Sequence, residues 1–520
     1  MAVAICFPPD PKPLIELPLA SSHAVQSGHV PGMITMECPS SRLMSLLIAV
    51  LVTALAIPAV GQEADNSGAG FAFTADEVQQ LETTLMTEID SNRSRQCIRP
   101  NLRKEEPLPG PADVAILRLL ATHGDFDDCM DLLGNDNEVT EWQINPRGDP
   151  PPMASLAVLL CRPVTEAISQ AVRHQDACSP YLVGRAVPEM LTFARLGRTA
   201  RAASVVARDM ARAGDRAGAL ALLVDELRFA QDVARGHGAP LVARMVAAST
   251  AELAIRLGLM PLLESGDLSE RELTQLANDL DRLLESDPSG PDLLDAERQW
   301  SGLQTVLPHL KSVGWIPPGG ADPLARDESG KVLNQPSCGH ACWSRQWLVT
   351  NAVYRAMADA CAGAPPYSCA ERLDRLTSNA AAALRLNEDE AARTCKEVAA
   401  DQPSKSRDEL VARQLVCFDQ WGWSDRGYRQ TLQSRYYLNA ARLHVSVLLY
   451  RLRNGRCPAA EDVNPGAEAG RAATSPDSTL PAVVQDSPDL WLACPPGNYL
   501  SRWSEPYRFA CIDGDLPVAR

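Results

Sequence analysis

Leu273, Leu276, Leu280, Leu283 and Leu284 recur at steps of three and four residues, the spacing that lays apolar side chains along one face of an α-helix. Ser269-Glu-Arg-Glu272 just ahead of them reads as a capping box, and Thr74-Ala-Asp-Glu77 repeats the device before a helix predicted to run through Asp90. Leu293, Ala296, Trp300, Leu303, Leu307 and Leu310 form the next stripe. Residues 239–260 are apolar nearly all round, so that helix is expected to be central and buried. Arg244, Glu252 and Arg256 interrupt it, the last two at the spacing that lets them neutralise one another. Two further helices, Ser344 to Cys361 and Cys369 to about Leu386, flank an Ala-Gly-Ala-Pro-Pro-Tyr-Ser turn. A long helix from about Asp425 to Arg453 stops at Asn454-Gly455-Arg456-Cys457-Pro458.

The pattern changes after that stop. A linker rich in Ala, Gly, Pro and Ser covers 459–481, and Trp491–Cys494 and Tyr507–Cys511 read as short strands around a Pro-Gly-Asn turn. The expected fold is mostly α, built from antiparallel, degenerate repeat-like helical hairpins, with a small disulfide-bearing α+β C-terminal piece. The expected divisions are 1–61 (extension plus signal segment), 62–313 (helical hairpins), 314–424 (a Cys-rich hairpin region) and 425–520 (long helix, linker and small β piece).

Arg42 precedes an apolar run from Leu43 to Ile57, followed by Pro58, Ala59, Val60 and Gly61. That is the layout of a secretory signal peptide, with cleavage expected before Gln62. The run is short of the roughly twenty residues a spanning helix needs. An uncleaved segment would make a membrane anchor, and no later stretch is long and apolar enough to span. Residues 1–32, with Pro8, Pro9, Pro11 and Pro13, do not fit that layout; Met33 or Met36 gives a start of ordinary length.

Export changes how the fifteen cysteines read. In an oxidising compartment thiols pair, so the expectation is a staple rather than a redox or metal centre. Neither Cys-x-x-Cys nor Cys-x-x-Cys-His occurs. Cys361 and Cys369 flank a hairpin turn and are expected to bond. Cys338 and Cys342 are expected to bond Cys395 and Cys417 in one order or the other, leaving His340 exposed; Cys494 and Cys511 complete the candidates. Zinc on Cys338, His340 and Cys342 needs a fourth ligand and reduced thiols, and no metal or cofactor is expected.

Residues 121–133 and 211–223 share a Gly-Asp pair, then a small residue five positions after the Gly and Leu-Leu after that. Gly permits a tight reversal, Asp caps the second helix, and the small residue lets two helices approach. In Gly124–Leu133 and Gly214–Leu223 this resembles the inter-helix turn of tetratricopeptide repeats. The run Leu-Tyr-Arg-Leu-Arg-Asn-Gly-Arg-x-Pro before the strands resembles the helix-to-sheet segment of pseudopilins. The chain as a whole resembles uncharacterised exported Ala/Leu-rich bacterial proteins, a likeness that implies no activity.

The formal charge of −16 disfavours nucleic acid as a partner. Residues 184–256 nevertheless carry eleven Arg, no Lys and seven acids, a net of +4. Arg195, Arg198, Arg201, Arg208 and Arg212 are the candidate binding residues, because the guanidinium fork suits carboxylate or phosphate. The competing expectation is internal: residues 264–298 hold eleven acids and three Arg, a net of −8, and these helices are expected to bury against them. His-Glu-x-x-His, Gly-x-Ser-x-Gly and the phosphate-cradling glycine loops do not occur, so no catalytic residue is named. The expected function is a non-enzymatic, exported helical scaffold or binding protein whose partner is another protein or a cell-envelope component. The alternative is an exported hydrolase with acidic residues in an inter-helix cleft.

Overall fold

The computed structural model describes residues 73–96, 108–111, 123–135, 137–144, 149–176, 198–235, 241–265, 268–287, 290–312, 340–364, 366–385, 407–420, 428–458, 482–487, 490–494 and 507–511. All lie in one unit spanning Leu55–Arg520. The signal segment, the 1–32 extension and the linker at 459–481 fall outside the described residues.

The chain is mostly helical. In order come α1 (Ala75–Gln96), α2 (His123–Asn135), α3 (Asn137–Ile144), α4 (Ala154–Ala171), α5 (Thr199–Arg212), α6 (Arg216–Arg235) and α7 (Leu241–Leu253). A π-helical segment, Ala254–Leu259, joins α7 to α8 (Met260–Glu264), and α9 is Glu270–Glu285. Then α10 (Gly290–Trp300) continues through a second π segment, Ser301–Val306, into α11 (Leu307–Ser312). The remainder is α12 (His340–Cys361), α13 (Pro366–Ala383), α14 (Arg407–Gln420) and α15 (Tyr428–Asn454). Two short strands, β1 (Leu108–Pro111) and β2 (His174–Asp176), pair in parallel. At the far end β3 (Ala482–Ser487), β4 (Leu490–Cys494) and β5 (Tyr507–Ala510) form an antiparallel sheet in sequence order. The strand at 482–487, just past the expected linker, has no counterpart in the sequence reading.

Both capping boxes form. Ser269 Oγ accepts from the Glu272 N–H at 3.3 Å while the Ser269 N–H donates to Glu272 Oε2 at 2.7 Å, and Thr74 and Glu77 repeat the exchange. The five leucines of α9 are all buried. The hydroxyl and N–H of Ser269 hold the Glu272 carboxyl below its ordinary pKa.

The two π segments share a cause. Pro261 and Pro308 sit second in α8 and α11, where each lacks an N–H and its ring collides with the carbonyl four residues back. Widening the preceding turn relieves that collision, and the Met260 N–H bonds Ile255 O, five residues back.

The stripe read from Leu293 to Leu310 therefore spans two helices and a register change. Its second half belongs to a cluster of Val78, Leu85, Val306, Leu307, Leu310 and Trp347, which seats α1 against α11 and α12. Gly302 lies under the indole. A Cβ there would stand 2.7 Å from Trp347 Cζ3 and 2.8 Å from Leu85 Cδ1. Gly302→Ala is therefore expected to cost about 1–3 kcal/mol in urea denaturation, the range for overpacking a closed core. An unchanged midpoint would show that the α1–α12 contact yields to an added methyl group at no cost.

The core runs across the expected divisions at 313/314 and 424/425: α12 packs on α10, and α15 packs on α7 and α9. Most of the described side chains between 244 and 260 are buried, but the more completely enclosed helix is α6. Arg244–Glu264 is long and apolar enough to cross a membrane by length and composition, contrary to the sequence reading. Two thirds of it (67%) is buried inside the protein, as a core helix would be. Its Glu252 and Arg256 do pair, at 3.1 Å.

Of the two Gly-Asp segments, Gly214 takes φ +91° between α5 and α6, and Asp215 accepts the Gly218 N–H at 2.9 Å. Gly124 and Asp125 instead lie inside the first turn of α2.

Candidate functional site

Helix α6 presents Leu227, Ala230, Gln231 and Ala234 on one stripe, and α7 presents Arg244, Ala247, Ala248 and Ala251 on another. Leu432, Ser434, Arg435 and Leu438 of α15 close the third side, and Asp287, Gly290 and Leu293 at the α9–α10 junction form the floor. Alanines where two helices face each other leave space that leucines would fill. The result is a cleft of about 40 Å³, enough for a few water molecules or a group of two to four heavy atoms.

Polar groups enter this cleft from fixed positions. Gln231 donates to Leu283 O at 2.7 Å and accepts from Ser286 Oγ at 3.1 Å, so both ends of its amide are held. Arg435 donates to Leu284 O at 3.1 Å and to Asp287 Oδ2 at 3.2 Å. Both side chains thus cap the C-terminus of α9, where the last carbonyls lack helical partners and a cation is favoured. Arg244, Gln231 and Arg435 are each under a tenth exposed. The described lining holds two guanidinium groups and one carboxylate.

Three acids of the stretch 264–298 pair with arginines of α15. Arg442 grips Asp281 through Nε at 2.8 Å and Nη2 at 3.0 Å, Arg435 takes Asp287, and Arg453 takes Glu270 at 2.8 Å. From the Arg-rich stretch, Arg216 acts on Glu272 and helps lower its pKa. Arg298, inside the acidic stretch, binds Glu88, Asp295 and Asn351.

The candidate binding arginines divide between solvent and core. Arg195 is outside the described residues. Arg198 is exposed at the start of α5, Arg201 is half-buried, and Arg212 is exposed in the last turn. Arg208 is buried with its guanidinium 4.6 Å from the Trp142 ring centre. Burial, aided by Arg212, lowers its pKa to about 10, which leaves it charged at neutral pH. Arg198→Glu replaces a cation at a helix N-terminus with an anion, so it is expected to change stability by no more than about 0.5 kcal/mol, in the stabilising direction. A thermal shift of several degrees downward would instead reveal a buried role for Arg198.

Cys361 and Cys369 are bonded across the α12–α13 turn. Cys417, buried in α14, is also in a disulfide. Cys338 and Cys395, and the side chains of His340, Cys342 and Cys494, lie outside them too. Cys511 bonds Cys457, which the sequence reading treated as part of a helix stop, and Cys129 bonds Cys161. Cys129 is the small residue five positions after Gly124; its second role has no local signal.

Sequence reasoning also missed a row of buried polar groups on α6. Asp225, Glu226, Arg228, Gln231 and Asp232 are all under a tenth exposed. Ser169 donates to Asp225 at 2.8 Å and Thr199 to Glu226 Oε1 at 2.6 Å, while Glu226 Oε2 has no hydrogen-bond partner. Burial raises the Glu226 pKa to about 8, the Asp225 charge adds to the rise, and the Thr199 bond opposes it. Comparison with family models, with curated proteins and with solved structures finds no match to this chain.

Proposed function

We propose that this chain is an exported, disulfide-stapled helical protein that binds another protein or a cell-envelope component and catalyses no reaction. The observation that carries the reading is the set of bridges Cys129–Cys161, Cys361–Cys369 and Cys457–Cys511, with Cys417 bonded as well. Disulfides persist where thiols are kept oxidised, so they support export by the Arg42–Gly61 signal segment. In this reading the hairpins are degenerate relatives of tetratricopeptide hairpins, and α15 with β3–β5 is a small α+β module.

The chemistry of the cleft supports binding over hydrolysis. The one carboxylate among the described lining residues, Asp287, is held by Arg435, whereas acid–base hydrolysis asks for two carboxyl groups with separated pKa values facing one substrate. Glu226 has the raised pKa of an acid, but among the described residues it does not line the cleft.

Secretion of the full chain followed by N-terminal sequencing and non-reducing peptide mapping tests the export step. A mature chain beginning at Gln62 with Cys361–Cys369 intact is the expected result. Affinity capture from envelope extract, paired with assays for hydrolysis of envelope polymers, tests the rest. Polymer hydrolysis without a retained partner would overturn the binding reading.

A further inference from the structure

We propose that the exposed apolar ridge at the start of α4 docks a cationic amphipathic helix of another protein. This deepens the binding reading above and rests on it, adding a place and a chemistry for the partner. Among the described residues five large apolar side chains are exposed, and three of them are Met153, Leu156 and Leu159. They are 36%, 40% and 67% exposed, whereas Ala157, Val158 and Cys161 on the opposite side of the helix are buried. A helix that packs only within its own chain turns its leucines inwards, so this row is not accounted for by the core. Steps of three residues are one of the two ridge directions by which a helix fits the groove of another. The ridge runs for about 9 Å. Its back is held by the buried residues and by the Cys129–Cys161 bridge to α2, so little freedom is left to lose when a partner seats.

Charge selects the partner. Among the described side chains from 123 to 171 six carboxylates are exposed, those of Asp128, Asp131, Glu138, Glu141, Asp149 and Glu166, against one exposed guanidinium, Arg162. The bridge, with its two Cα atoms 5.0 Å apart, brings the α2 turn that carries Asp128 and Asp131 beside the α4 turn that carries Leu159. An apolar stripe flanked by lysines or arginines complements such a rim. A second copy of the chain brings the same acids, and a formal charge of −16 also works against an anionic lipid surface.

The test is fluorescence anisotropy of a labelled amphipathic helical peptide of leucine and lysine, titrated with the full secreted chain at physiological ionic strength. The same peptide with glutamate in place of lysine is the control. The expected result is saturable binding of the lysine peptide and none of the glutamate peptide. Leu156→Ser combined with Leu159→Ser leaves every charge in place, and is expected to weaken the lysine peptide at least about tenfold without moving the melting temperature. Leu452→Ser, at the exposed apolar side chain of α15, is expected to leave binding unchanged. Should the double variant fail to fold, Leu159→Ser alone, at the most exposed of the three, repeats the comparison. Equal affinity of wild type and variant would reduce the binding to charge attraction and overturn the ridge. Self-association in sedimentation, or flotation with phosphatidylcholine–phosphatidylglycerol vesicles, that the same substitutions abolish would overturn the choice of partner in favour of a second copy or of lipid. Polymer hydrolysis is read separately, so failure of the ridge and failure of the binding reading are distinguishable.

Discussion

Replacing Cys457 and Cys511 together with alanine is expected to lower the unfolding free energy by about 4 kcal/mol, the largest single loss among the three described bridges. The bridge closes a loop of 54 residues, against 32 for Cys129–Cys161 and 8 for Cys361–Cys369. Loop-closure entropy grows with the logarithm of length, so the expected costs are about 4, somewhat under 4 and about 2.5 kcal/mol in that order. The damage is also expected to be local. Cys457 follows the end of α15, and Cys511 follows β5. Arg451 donates to Cys511 O at 2.5 Å, and the Tyr507 N–H donates to Tyr436 Oη at 2.9 Å. His444 stacks on Phe509 at 4.7 Å and meets Tyr507 Oη at 3.3 Å. The bridge constrains the chain between α15 and β5, so these contacts are expected to weaken without it. Hydrogen exchange should therefore rise in β4 and β5 of the double variant while the leucine face of α9 keeps its protection. Uniform loss of protection would mean that the sheet is integral to the helical core; no loss would mean that Tyr507 and Phe509 suffice without the bridge.

What was legible in the sequence is what depends on neighbours within a few turns. The Ser269–Glu272 and Thr74–Glu77 caps, the α9 leucines, the Glu252–Arg256 pair and the Gly455 stop of α15 each rest on residues within about a dozen positions. The cleft was not legible, because Arg244 and Arg435 stand 191 positions apart and nothing local marks them as neighbours. The same distance hid the destination of the acids: Asp281, Asp287 and Glu270 pair with Arg442, Arg435 and Arg453, more than 140 residues downstream. Charge totals of +4 and −8 identified two stretches needing partners but could not say that α15 lay between the choices. The burial of helix α6 was not legible for a different reason. Asp225, Glu226, Arg228, Gln231 and Asp232 give it the composition of a solvent-facing helix, yet it lies between α4, α5 and α7. Polar side chains can be buried when each finds a hydrogen bond or a charge, and sequence does not display those partners.

Glu226 shows what that burial costs and how to measure it. Its carboxyl is fully enclosed, Thr199 supplies one hydrogen bond, and its pKa rises from 4.5 to about 8. In the unfolded chain the group deprotonates near 4.5; in the folded chain it stays protonated until near 8. Below 4.5 both states hold the proton, so the group gives stability no dependence on pH there. Between 4.5 and 8 the folded state binds the extra proton, and stability falls with rising pH by about 1.4 kcal/mol per unit from this group alone. Above 8 both states are ionised and the loss, on the order of a few kcal/mol, is complete. Glu226→Gln keeps an oxygen for the Thr199 hydroxyl and removes the titration. Urea denaturation of both proteins at pH 5 and pH 8.5 is therefore expected to show the variant close to wild type at the lower pH and more stable at the higher one. Groups remote from Glu226 contribute equally to both curves, so the difference curve reports Glu226 together with the Asp225 charge coupled to it. Parallel curves would mean that Glu226 is ionised inside the fold and partnered, which would return α6 to the list of helices held together by charge.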